Sequence, residues 1–93
     1  MNNKLLSIKV SLNSNEFLMY ELGSSSMEND IAYNLSVAYI NNDHSESVIL
    51  EDISRDYEEA ASRTYLFAKE TVTPITAQII MEELLSTVYP QKT

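Results

Sequence analysis

Leu6, Ile8, Val10 and Leu12 alternate with Ser7, Lys9 and Ser11, a period-two pattern that turns one set of side chains to a core and the other to water. It predicts a strand. Asn13-Ser14-Asn15 then offers short polar side chains that bond their own backbone, and Phe17 to Leu22 supplies a second extended run, so the two runs form a hairpin. Gly23 to Asp30 is the longest polar stretch and holds the only glycine, which predicts a surface loop. From Ile31 the odd positions Ile31, Tyr33, Leu35, Val37 and Tyr39 are large and apolar while those between are small or polar, the pattern of a half-buried strand. Asn41 to Ser45 is turn chemistry, and Glu46 to Ile53 returns as an antiparallel neighbour.

The period then changes. Ser54 is placed to cap a helix, and Asp56, Glu58 and Glu59 put negative charge beside the positive end of its dipole. Tyr57, Ala61, Thr64, Tyr65 and Ala68, with Phe67 beside them, follow helical spacing for a packed face, while Arg55, Glu59 and Arg63 are four apart, as exposed ion pairs require. Lys69 sits at the end where a cation complements the dipole. Thr73-Pro74 starts a second helix, since threonine caps and proline at the first helical position sacrifices no hydrogen bond. Its apolar stripe is Ala77, Ile80, Met81, Leu84, Leu85 and Val88, with Gln78 and Glu82 opposite, and Pro90 ends it. Strands followed by helices predict an α+β fold: three or four antiparallel strands with two C-terminal helices on one face. Residues 1–93 suffice for one domain with a radius of gyration of about 12 Å.

Composition narrows the chemistry. The chain has no cysteine, so neither disulfides nor thiolate metal sites are available, and the start of the chain lacks the apolar run of a signal peptide. We expect a cytoplasmic protein. Six basic against fourteen acidic residues give a net charge of -8, which disfavours direct binding to nucleic acid or anionic membranes.

The pattern Tyr33-x-Leu35-x-Val37, Val48-x-x-Glu51-Asp52-Ile53-Ser54-x-Asp56, Val72-Thr73-Pro74 and Ile80-x-Glu82 before Leu84 resembles a family of small, uncharacterised Firmicute proteins grouped as a domain of unknown function. The resemblance covers about residues 33 to 85 and implies no activity, cofactor or partner. In that family a histidine often follows the proline by two positions. Thr76 stands there in this chain, so no role of that histidine carries over.

Candidate catalytic groups are few. Asp43-His44-Ser45 holds the residue types of a hydrolytic triad, but neighbours in one turn do not adopt its geometry, and no glycine-rich nucleophile elbow is present. His44-x-Glu46 matches half of a zinc deaminase signature whose cysteine half is missing. Glu51, Asp52, Asp56, Glu58 and Glu59 form an acidic cluster without the spacing or glycine of a calcium loop. Tyr33, Tyr39, Tyr57 and Tyr65 fall on apolar positions and are expected in the core, with Tyr20 and Tyr89 undetermined. Asn34-Leu35-Ser36 matches a glycosylation acceptor but lies in a strand.

These readings predict no catalytic residue, no cofactor and no metal. They point to an interaction or regulatory module that meets an unidentified protein. The candidate surface is the acidic edge of Glu51, Asp56, Glu58 and Glu59 together with Ile49 and Ile53. With Ile40, those isoleucines would make the sheet's second face partly apolar, and a homodimer would bury it. The alternatives are an acidic mimic of nucleic acid that inhibits a basic protein, and a metal-assisted hydrolase.

Overall fold

The computed structural model describes residues 3–88. Four strands, β1 (Asn3–Asn13), β2 (Glu16–Met27), β3 (Asp30–Ile40) and β4 (Ser45–Ser54), precede two helices, α1 (Tyr57–Lys69) and α2 (Pro74–Val88). The strands form one antiparallel sheet in the order β1-β2-β3-β4. Each connects to its neighbour, so every turn is local. Asn13 Oδ1 accepts the Asn15 N–H at 2.8 Å, and Asn41 Oδ1 accepts the Asp43 N–H at 2.8 Å, which is the asparagine turn chemistry expected at these places.

Both helices lie on one face. α1 crosses β2 and β1 and reaches β3 and β4, whereas α2 covers β4 and β3. The core is a single cluster between sheet and helices, built from Leu18, Tyr20, Leu22, Leu35, Val37 and Leu50 below and Ala60, Phe67, Ala77 and Met81 above. The strands run ten to twelve residues, so the body is a slab with extents of 44 × 36 × 18 Å. Its radius of gyration, 13.9 Å, exceeds the expected value because a long sheet with only one helical layer is flat.

Several expectations need correction. Gly23 to Ser26 is strand rather than loop: Ser24, Ser25 and Ser26 pair with Tyr33, Ala32 and Ile31, and only Glu28-Asn29 turns. Ladder hydrogen bonds to a strongly strand-forming partner override the weak strand propensity of serine. Leu12 is 42% exposed rather than core, because it is the extra residue of a bulge between Ser11 and Asn13; Leu5, the extra residue of a second bulge, is 44% exposed.

Ser54 is not the helix cap. Asp56 occupies that position, its Oδ2 accepting the Glu59 N–H at 2.9 Å, while Ser54 Oγ accepts the Asp56 N–H at 2.9 Å and donates to Glu59 at 2.8 Å. Two short polar residues thus share the orphan donors. The buried face of α1 is Ala60, Arg63, Thr64 and Phe67; Tyr57 and Tyr65 are exposed. The α1 stripe is rotated by about one position from the expected one, which places Arg63 inside. Tyr33 and Tyr39 are only half-buried at the margin of the core, and among the described residues the fully buried tyrosine is Tyr20.

The turn between the helices is closed by paired backbone bonds, Thr71 N–H to the Ala68 carbonyl at 3.2 Å and Val72 N–H to the Phe67 carbonyl at 3.0 Å. This is a Schellman arrangement, with Val72 and Phe67 both buried as its apolar contact. Thr71 takes φ of 50° at the position where glycine is usual. α2 then starts at Pro74, with Ala77 and Met81 buried and Ile80, Leu84 and Leu85 packed against the core. The side chain of Val88, as well as Tyr89 and Pro90, lies outside the described residues.

Candidate functional site

The acidic corner is held together by two arginines. Arg55 reaches back over the end of β4 to bind Asp52 through both carboxylate oxygens, at 2.8 and 3.1 Å, and also pairs with Asp30 at the start of β3. Asp52 takes φ of 55° in a bulge between Leu50 and Ser54, and its N–H is held by Asn34 Oδ1 at 2.8 Å. The Asp52 carboxyl lies below its ordinary range because of the Arg55 hydrogen bonds. That of Asp30 is lowered first by the Ile31 N–H and then by Arg55, and the guanidinium itself is shifted upward by the two carboxylates. Asn34 also binds Ser25 at 3.1 Å, so the glycosylation match is a structural residue of the sheet.

Arg63 does the opposite work, inside. Its guanidinium donates to the Ile53 carbonyl at 2.8 Å and to Glu59 at 3.3 Å, so a charge expected in water serves a carbonyl stranded by the bulge. A depression of about 530 Å³ at this corner is lined by Asp52, Ser54, Arg55, Asp56, Glu59 and Arg63 among others. Its polar groups bond one another. Among the described residues no buried side-chain nitrogen or oxygen lacks a partner, and no three His, Asp or Glu side chains converge as metal ligands.

The sequence-derived surface is therefore divided. Asp56 caps α1, and Glu59 is tied to Ser54 and Arg63. Among the described residues, the side chains of Glu51 and Glu58 are exposed and make no hydrogen bond or ion pair. Ile53 is 2% exposed, in the core, because the bulge turns it inward. Ile49 stands on the other side of the sheet and is 61% exposed. His44 Nε2 lies 2.9 Å from Glu46 on the exposed hairpin, and among the described residues no hydroxyl is bonded to it.

The outer face of the sheet is the larger feature. Strand alternation places Phe17 and Met19 of β2, Ala38 and Ile40 of β3 and Ile49 of β4 on it, opposite the helices. Lys9 extends over the Phe17 ring at 4.4 Å, and Lys4 pairs with Glu21 at 3.1 Å. The second pair forms part of the wall of a groove of about 300 Å³ lined by Lys4, Glu21, Gly23, Asn34, Ser36 and Ile49, with Leu22 contributing. Gly23 makes it. No glycine in the chain has positive φ, so at this place glycine is distinguished by its missing side chain rather than by its backbone freedom.

Sequence reasoning missed this groove. It read Gly23 as a loop residue, and the signal that would have found it is an isolated glycine continuing a strand. The chain matches no family model, no curated protein and no solved structure. Among the described residues no helix is long and apolar enough to cross a membrane.

Proposed function

We propose that this chain is a protein-interaction module without chemistry of its own, and that it meets its partner through the outer face of the sheet. The observation that carries the reading is the second face, which no element covers among the described residues: both helices pack on the other side, while Phe17, Met19, Ala38, Ile40 and Ile49 lie outward beside a groove. An apolar patch with polar neighbours is the ordinary mark of an interaction site. Gly23 supports the same reading, because glycine inside a strand sacrifices about 0.5–1 kcal/mol relative to alanine, and the return on that sacrifice is the depth of the groove.

The acidic corner supports a nucleic-acid mimic less well. Asp30, Asp52, Asp56 and Glu59 already satisfy Arg55, Arg63 or a helix terminus. Few carboxylates remain to face a basic groove. The test is capture by the immobilised protein from extract of its own cells, at low and high salt. The expected partner survives high salt, is lost with Ser36→Arg, which fills the groove, and is kept with Glu58→Lys. A partner lost to salt and to Glu58→Lys but kept by Ser36→Arg would replace this reading with the acidic one.

A further inference from the structure

We infer that the partner on the outer face is a second copy of the chain, packed sheet against sheet about a two-fold axis that runs along the strands. The inference rests on the interaction reading above and names its occupant. The first argument is charge. On the outer face β1, one edge of the sheet, presents Lys4 and Lys9, whereas β4, the opposite edge, presents Glu51; Glu46 pairs with Tyr39 on the helix side and Asp52 is held by Arg55.

A two-fold axis along the strands lays β1 of each copy over β4 of the other, so Lys4 of one copy comes level with Glu51 of the other. An axis across the strands would lay β1 on β1 and β4 on β4, like on like. Only the first arrangement brings a lysine of one copy to Glu51 of the other.

The side chains between the edges fit the same operation. The central row of the outer face reads Lys9, Met19, Ala38 and Ser47 across the four strands. Reversing it places the long Met19 over the small Ala38 of the second copy, twice. In the next row Phe17 and Ile40 are neighbours, and each then meets the other across the interface. Long residues face short ones, or apolar face apolar, as interdigitating sheets require.

Area and edges agree. About ten residues at ~3.3 Å along four strands spaced ~4.8 Å give a face of about 600 Å² per copy, or about 1,200 Å² in all, the lower bound of stable interfaces. Pairing at the edges is obstructed instead, since β1 carries two bulges and β4 a third.

The test is the mass of the pure protein by light scattering at high micromolar concentration. Wild type is expected at twice the chain mass, and Met19→Lys and Ala38→Glu each at the single mass. An equimolar mixture of the two variants is expected to return to the double mass, because each mixed dimer holds one Lys–Glu pair and one native pair. Phe17→Lys and Ile40→Glu, in the next row, form a second such set if either variant fails to fold by circular dichroism. A monomeric wild type overturns the second copy and leaves the capture assay to decide the face. A dimer that persists in both variants, or variants that stay monomeric when mixed, overturns it as well.

Discussion

Replacing Tyr20 with phenylalanine is expected to cost about 1–3 kcal/mol and to flatten the fall in stability between pH 10 and 12. Tyr20 is completely buried, and its hydroxyl donates to the Val72 carbonyl at 2.7 Å, joining the second strand to the turn between the helices. Removing the hydroxyl leaves that carbonyl without this donor in a site water does not reach. The pH dependence follows from the same burial. Desolvation raises the Tyr20 phenol from 10.0 to about 12, so the folded state keeps its proton while the unfolded chain loses it. Stability from this group is complete below pH 10 and falls as pH rises towards 12, by about 2–3 kcal/mol in total.

Tyr20→Ala adds a cavity under Phe67 and the other core side chains and is expected to cost about 3–5 kcal/mol. That is a large part of the 5–15 kcal/mol typical of a domain. Urea unfolding of the three proteins at pH 7, and of wild type and Tyr20→Phe at pH 11, checks both effects. Equal alkaline slopes for wild type and Tyr20→Phe would refute the assignment.

The second large effect belongs to Arg63. Arg63→Ala is expected to destabilise by about 2–4 kcal/mol, because it removes a buried aliphatic stem and leaves the Ile53 carbonyl without its donor. Arg63→Met, which keeps the stem, should recover part of the loss and leave about 1–3 kcal/mol for the unsatisfied carbonyl. Arg55→Ala should cost less than either, since its ion pairs with Asp52 and Asp30 are all exposed to solvent. Denaturant midpoints of the three variants give the order directly. A loss at Arg55 as large as that at Arg63→Ala would place the structural weight on the wrong arginine.

These two residues also mark where the sequence was readable and where it was not. The turns were legible from asparagine chemistry, the third strand from its strict alternation, and the second helix from Thr73-Pro74, because each signal is local. Tyr20 was not, since Phe17, Leu18, Met19 and Tyr20 are all large and give no alternation from which to choose a face. Arg63 reads as a surface ion pair by spacing alone; only the bulge at Asp52, a product of pairing with the third strand, creates the carbonyl that draws it inside. The same bulge moved Ile53 from the candidate surface into the core. Of that surface, Ile49 remains on the open face, Glu51 and Glu58 remain solvated, and Asp56 and Glu59 are occupied by the helix start. The groove at Gly23 depends on four strands in register, which no local pattern specifies.

The most direct measurement is methyl NMR of the pure protein with a soluble paramagnetic agent, recorded as protein concentration rises. Met19, Ala38 and Ile40 on the open sheet face are expected to lose their exposure to the agent with increasing concentration, while Ile75 and Ile79, the exposed isoleucines of the second helix, keep theirs. Protection of Ile75 and Ile79 instead, or unchanged exposure of all five methyl-bearing residues, would contradict the account.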